Sequence, residues 1–167
     1  MSNDTMNSIA VNKRFLLIGF LALLAGTMVY LQDRPIGSAR FLSGCESIHL
    51  FFHGLLFSFG QLGLYAPSFF HPLAFSLISA AFLLTTKSRL VMCVAWFLIN
   101  FLFELGQTLG SQSKDCVGQL PETIFIIKWL SDLCNSGVFD LSDMLAVSLG
   151  SLTAVLIIVV NSKQKHN

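Results

Sequence analysis

The sequence predicts an all-α integral membrane protein, a four-helix bundle with an additional re-entrant or interfacial helix after the first span. Three observations carry that prediction. Of the 167 residues, 54% are hydrophobic and only 11% charged, whereas soluble domains carry about 25% charged residues. Four charge-poor apolar runs, Phe15–Leu31, Leu73–Thr86, Leu90–Leu105 and Leu141–Val160, each approach or reach, with their flanks, the roughly 20 helical residues that cross a hydrocarbon core about 30 Å thick. The lysines and arginines fall where an alternating topology gathers most of them on one side.

The elements follow in order. Residues 1–14 form a polar cytoplasmic tail that ends in Lys13 and Arg14. The first span, about 15–31, reads as a retained anchor and not a cleaved signal, because the apolar run continues through Met28, Val29, Tyr30 and Leu31 with no small-x-small cleavage site. After the connector Gln32–Ser47, the segment Ile48–Tyr65 is apolar but broken by His49, His53, Gly54, Gly60, Gln61 and Gly63. It reads either as a fifth span or as a re-entrant or interfacial helix. The second and third spans are expected at about 68–86 and 90–109, and the fourth at about 141–160. The outer loop 106–139 separates the last two, and within it the Ile124–Leu130 patch suits the bilayer surface. Residues 162–167 close the chain as a second cytoplasmic tail.

Positive charge arbitrates between four spans and five, since cytoplasmic loops near membrane ends are enriched in Lys and Arg. With four spans, Lys13, Arg14, Lys87, Arg89, Lys163 and Lys165 share one side with Asp4 alone, while eight acids lie on the other. Both termini are then cytoplasmic and the protein is multi-pass in the plasma (inner) membrane. A fifth span would move Lys87 and Arg89 outside and require an uncharged cytoplasmic turn at Ala66–Phe70. The net charge of +1 leaves no basic surface for nucleic acid, and neither zinc-finger spacing nor a Gly-rich phosphate loop is present. Membrane lipids are the expected surroundings. Cys116 and Cys134, on the outer side, are spaced to bridge the long loop or to remain reduced.

The same topology brings polar groups from three helices to one membrane depth. His71 opens the second span, Glu104 and Gln107 close the third, and Asp140 and Asp143 open the fourth. Ionisable groups bordering apolar helices are costly and mark functional sites. Glu104, His71 and Asp143 are the candidate reactive groups, with Gln107 and Asp140 orienting a ligand. Such a cluster can exchange a proton, hold a hard divalent cation, or bind the polar head of a lipid-linked molecule. Two simpler readings stand beside these: Asp140 or Ser142 as the N-cap of the last helix, and Glu104 as an interfacial carboxylate. His49 and His53, spaced i and i+4, are a weak metal or haem signal, and no cofactor is specified.

These residues carry a resemblance. His71 with Ala74-Phe75, then Phe103-Glu104-Leu105-Gly106-Gln107, then Phe139-Asp140-Leu141-Ser142-Asp143-Met144-Leu145 followed by Gly150 look like the VanZ-like family of small membrane proteins over roughly residues 68–160. The family pattern usually has an Arg shortly before the first aspartate and an Asn about four residues after the second, where this chain has Ser136–Phe139 and Val147. The resemblance implies a cell-envelope role, with a link to glycopeptide (teicoplanin) resistance, in which the cluster binds or modifies a lipid head group or a lipid-linked cell-wall precursor. The alternative is an accessory or structural subunit packed against a partner protein in a larger membrane complex. Whether chemistry accompanies binding stays open at this level.

Overall fold

A computed structural model describes residues 11–33, 59–112 and 140–163; for residues 107–112 it describes the backbone only. Four helices make up these segments: α1 (Lys13–Asp33), α2 (Gln61–Ala81), α3 (Thr86–Gln112) and α4 (Leu141–Lys163). Most of Ile48–Tyr65, His49 and His53, the greater part of the outer loop, Cys45, Cys116, Cys134 and the tails beyond residues 11 and 163 lie outside the described residues.

Helices α1, α3 and α4 are each long and apolar enough to cross a membrane. Helix α2 has no Asp, Glu, Lys or Arg, but its apolar run is interrupted by Gln61, Ser68, His71, Ser76 and Ser79 along with Pro67 and Pro72. It earns its place by position, since it packs against all three other helices, and α3 also packs on α4. Each proline removes one backbone donor, a loss that neighbouring helices in a membrane bundle can offset.

The α1–α2 pair is antiparallel along its whole length. At one end the Asn12 backbone N–H donates to the Ala81 carbonyl at 2.8 Å. In the middle, Gly19 faces Ala74 and Ile78, and Gly26 faces Phe70. At the other end the Asp33 carboxylate accepts from the Phe59 N–H at 3.0 Å and fills the space over Gly63. Glycine at 19 and 26, with buried Ala22 between, lets the two backbones approach closely. That is how helices associate where lipid tails remove the hydrophobic drive between them.

A four-residue turn, 82–85, reverses the chain from α2 into α3. Thr85 caps α3 by accepting from the Ser88 N–H at 3.1 Å. Helix α3 runs back along α2, with Trp96 stacked on Phe75 at 4.9 Å. Helix α4 lies parallel to α2, where Gly150 meets the backbone of Phe69 and the ring of Pro72. The four helices therefore alternate up and down.

The packing buries many small residues around a few large ones such as Phe15, Leu77 and Ile158, and leaves many large apolar side chains outside. Buried positions include Ala22, Ala74, Ala80, Ala81, Ala146, Ala154, Ser76 and Ser151. Leu17, Phe20, Leu21 and Leu24 on α1, Val91, Val94, Leu98 and Leu102 on α3, and Leu145, Leu149, Leu152 and Leu156 on α4 are exposed. Their three- and four-residue spacing makes an apolar stripe on each helix. In water such stripes would be an aggregation surface; against acyl chains they are the matched solvent.

The helices start and stop a little apart from the sequence expectation. Helix α2 begins at Gln61, so Gln61–Tyr65 belongs to it, and Ala66–Phe70 is helix where the five-span alternative needs a turn. Helix α3 begins at Thr86, which places Lys87 and Arg89 inside its first turns. Hydrophobicity marks where a segment is greasy, whereas caps and packing decide where the helix ends.

Candidate functional site

Charge is divided between the two ends of the bundle. The described cations, Lys13, Arg14, Lys87, Arg89 and Lys163, lie where α1 and α3 begin and α2 and α4 end. The described acids, Asp33, Glu104, Asp140 and Asp143, lie toward the other end.

The acidic end is built by matching hydroxyls on α2 to carboxylates on α4. Ser68 Oγ donates to Asp143 Oδ1 at 2.7 Å. Three residues before each of these, the Tyr65 hydroxyl lies near Asp140. Residues three apart share a helix face, so two parallel helices held in one register bring Tyr65 and Ser68 to Asp140 and Asp143 together. Asp140 is also the N-cap of α4: its Oδ1 accepts from the Ser142 N–H at 2.8 Å, which satisfies one of the orphan donors of the first turn. That backbone bond does most to hold the Asp140 carboxyl below the ordinary aspartate range; slight desolvation opposes it, and the Ser142 and Tyr65 hydroxyls add to it.

Glu104 comes to the same depth from α3. Trp96 pairs with Phe75; Glu104 is eight residues beyond Trp96 and Ser68 seven before Phe75, so the two lie about 12 and about 10 Å above that pair. Glu104 is 9% exposed, whereas Leu102 and Leu105 beside it are exposed toward the outside. Burial of this carboxylate in an otherwise apolar helix faces it into the bundle. Gln107 lies one turn further along α3.

His71 takes another direction. Its ring stacks over Phe75 at 6.0 Å, and Phe75 stacks in turn on Trp96, whose Nε1–H donates to Ser79 Oγ at 2.9 Å. This ladder ties α2 to α3 along the side of α2. The imidazole thus joins an aromatic column, while Asp143 joins Ser68. Among the described residues, no group of three or more His, Cys, Asp or Glu side chains is arranged to hold a metal ion.

Sequence reasoning missed Tyr65 and Ser68. The signal that could have found them is their spacing, which repeats that of Asp140 and Asp143. It also missed Arg89 as a structural residue. Arg89 is buried, its Nε donates to the carbonyls of Leu83 at 2.9 Å and Ala80 at 3.2 Å, and its guanidinium lies 5.1 Å over the Phe15 ring. A cation at the carbonyl end of α2 satisfies groups that the helix itself leaves open.

Fold and charge together define a small helical multi-span membrane protein with a polar end built on three of its helices. No protein-family model, no curated protein and no solved structure matches the chain.

Proposed function

We propose that this is a VanZ-like cell-envelope protein of the plasma membrane, with both termini in the cytoplasm. Its acidic end binds the polar head of a lipid or of a lipid-linked cell-wall precursor on the outer leaflet. The observation that carries the reading is the bond between Ser68 and Asp143 at the depth where buried Glu104 arrives from α3. Carboxylates held at that depth are costly unless used, and a hydroxylated or amine-bearing head group offers the donors that they accept. Glu104 and Asp143 are the binding groups in this reading, Gln107 lies at the rim, and Asp140 positions α4. His71, stacked on Phe75, supports the α2–α3 contact below them. The link to glycopeptide resistance rests on the family resemblance in Glu104, Gln107, Asp140 and Asp143.

The test replaces Glu104 by Gln and, separately, Asp143 by Asn in the full chain. Lipids retained by the purified proteins are identified by mass spectrometry, and teicoplanin susceptibility is measured in cells that express each variant. Loss of a retained lipid or precursor from E104Q, with the helices intact, supports the proposal. An unchanged lipid profile together with unchanged susceptibility removes it, and a stoichiometric partner protein that persists through mild detergent replaces it with the accessory-subunit role.

A further inference from the structure

The basic end carries a feature that neither the bundle nor the acidic site requires. In the turn between α2 and α3, Leu84 is 73% exposed and Phe82 51% exposed. Two large apolar side chains stand out from a four-residue turn, beside exposed Lys87 and the exposed hydroxyl-bearing residues Thr85 and Ser88. Lys13 and Arg14, both exposed, flank the same turn, because the Asn12 N–H bonds to the Ala81 carbonyl and Phe15 lies under Arg89. No described acidic residue lies at this end.

We propose that the α2–α3 turn and the start of α1 form a docking site for anionic phospholipid in the leaflet that meets the basic end. The chemistry is complementary in two layers. Phe82 and Leu84 enter the boundary between acyl chains and head groups, continuing the apolar stripes of α1 and α3 that acyl chains already cover. Lys13, Arg14 and Lys87 meet the phosphates. A zwitterionic head group balances its own phosphate with its own cation, so net negative charge gives the preference, at about 1 kcal/mol or roughly fivefold for each cation near the surface. Buried Arg89 positions the site: its bonds to the Ala80 and Leu83 carbonyls hold the turn in one shape before lipid arrives. The site lies at the opposite end of the molecule from Glu104 and Asp143, so either proposal can fail without the other.

The test uses the full purified chain equilibrated in mixed phosphatidylglycerol and phosphatidylcholine micelles, with retained lipids counted by native mass spectrometry. Wild type is expected to retain phosphatidylglycerol in clear excess, and that excess should shrink as salt rises. Arg14→Gln with Lys87→Gln should reduce the excess by roughly 25-fold, with helical content unchanged. Should the double variant fail to fold, Lys87→Gln alone is read, with about a fivefold reduction expected. Equal retention of the two lipids by wild type, or an excess undiminished in the folded variant, overturns the proposal.

Discussion

The two seams along α2 are made by different means. Against α1, the fit depends on Gly19, Ala22 and Gly26, which remove side chains so that backbones approach. Against α3 and α4, polar side chains bridge the helices: Ser68 to Asp143 and Trp96 to Ser79. Close approach works by shape and tolerates no added volume. Polar bridging fixes the depth of one helix against another and leaves ionisable groups facing the interior, so the second seam is the one that can carry chemistry.

The strongest way to break this division is at the one position where the second seam also relies on shape. A Cβ at Gly150 would collide with the Phe69 carbonyl, which is backbone and cannot rotate away. Gly150→Ala should destabilise the protein by roughly 3 kcal/mol, at the upper end of overpacking effects, read as thermal unfolding in mild detergent. On the α1 side, a Cβ at Gly26 would stand 2.8 Å from Phe70 Cβ. Gly26→Ala is expected to cost about 1–2 kcal/mol in the same measurement, while lipid retention at the acidic end stays as in wild type. A loss of retention would mean that the seams are coupled.

Smaller effects sharpen the polar side. Trp96→Phe keeps an aromatic ring on Phe75 but removes the donor to Ser79, a loss of about 0.6 kcal/mol if it behaves as an average interhelical bond. The least effect comes from acid. The Asp140 carboxyl is held below its ordinary value of about 3.9, so its contribution to stability is complete above that value and disappears only as pH falls through the lower value of the folded state. An acid titration of unfolding should show this step in wild type and lose it in Asp140→Asn, since asparagine also caps but does not titrate.

Much of this was legible in the chain. Apolar length identified all four helices, α2 through the Leu73–Thr86 run, and the cation pattern placed Lys13, Arg14, Lys87, Arg89 and Lys163 at one end. The cap role of Asp140 was also readable, because an acid just before an apolar run is an N-cap signal. The centrality of α2 was hidden, because hydrophobicity does not say which helix packs on which, and its start at Gln61 was hidden because Gly60, Gln61 and Gly63 interrupt the apolar pattern there. Burial of Arg89 was hidden as well, since charge counting assigns a side of the membrane but says nothing about which carbonyls a guanidinium reaches. His71 could be assigned a depth from sequence, but its direction came from Phe75 four residues later.

The arrangement of caps has a consequence for inheritance of topology. Asp140 caps the start of α4, Asp33 reaches the N–H of Phe59 at the approach to α2, and Arg89 closes the carbonyl end of α2. Asp140 opposes the partial charge at the start of α4 and Arg89 that at the carbonyl end of α2, so these two charges both mark an end of the bundle and close a helix terminus. Exchanging acid for base at Asp140 and Arg89 on the way to an upside-down insertion would strip those two termini in the same step, so at these positions orientation and folding are encoded by shared residues.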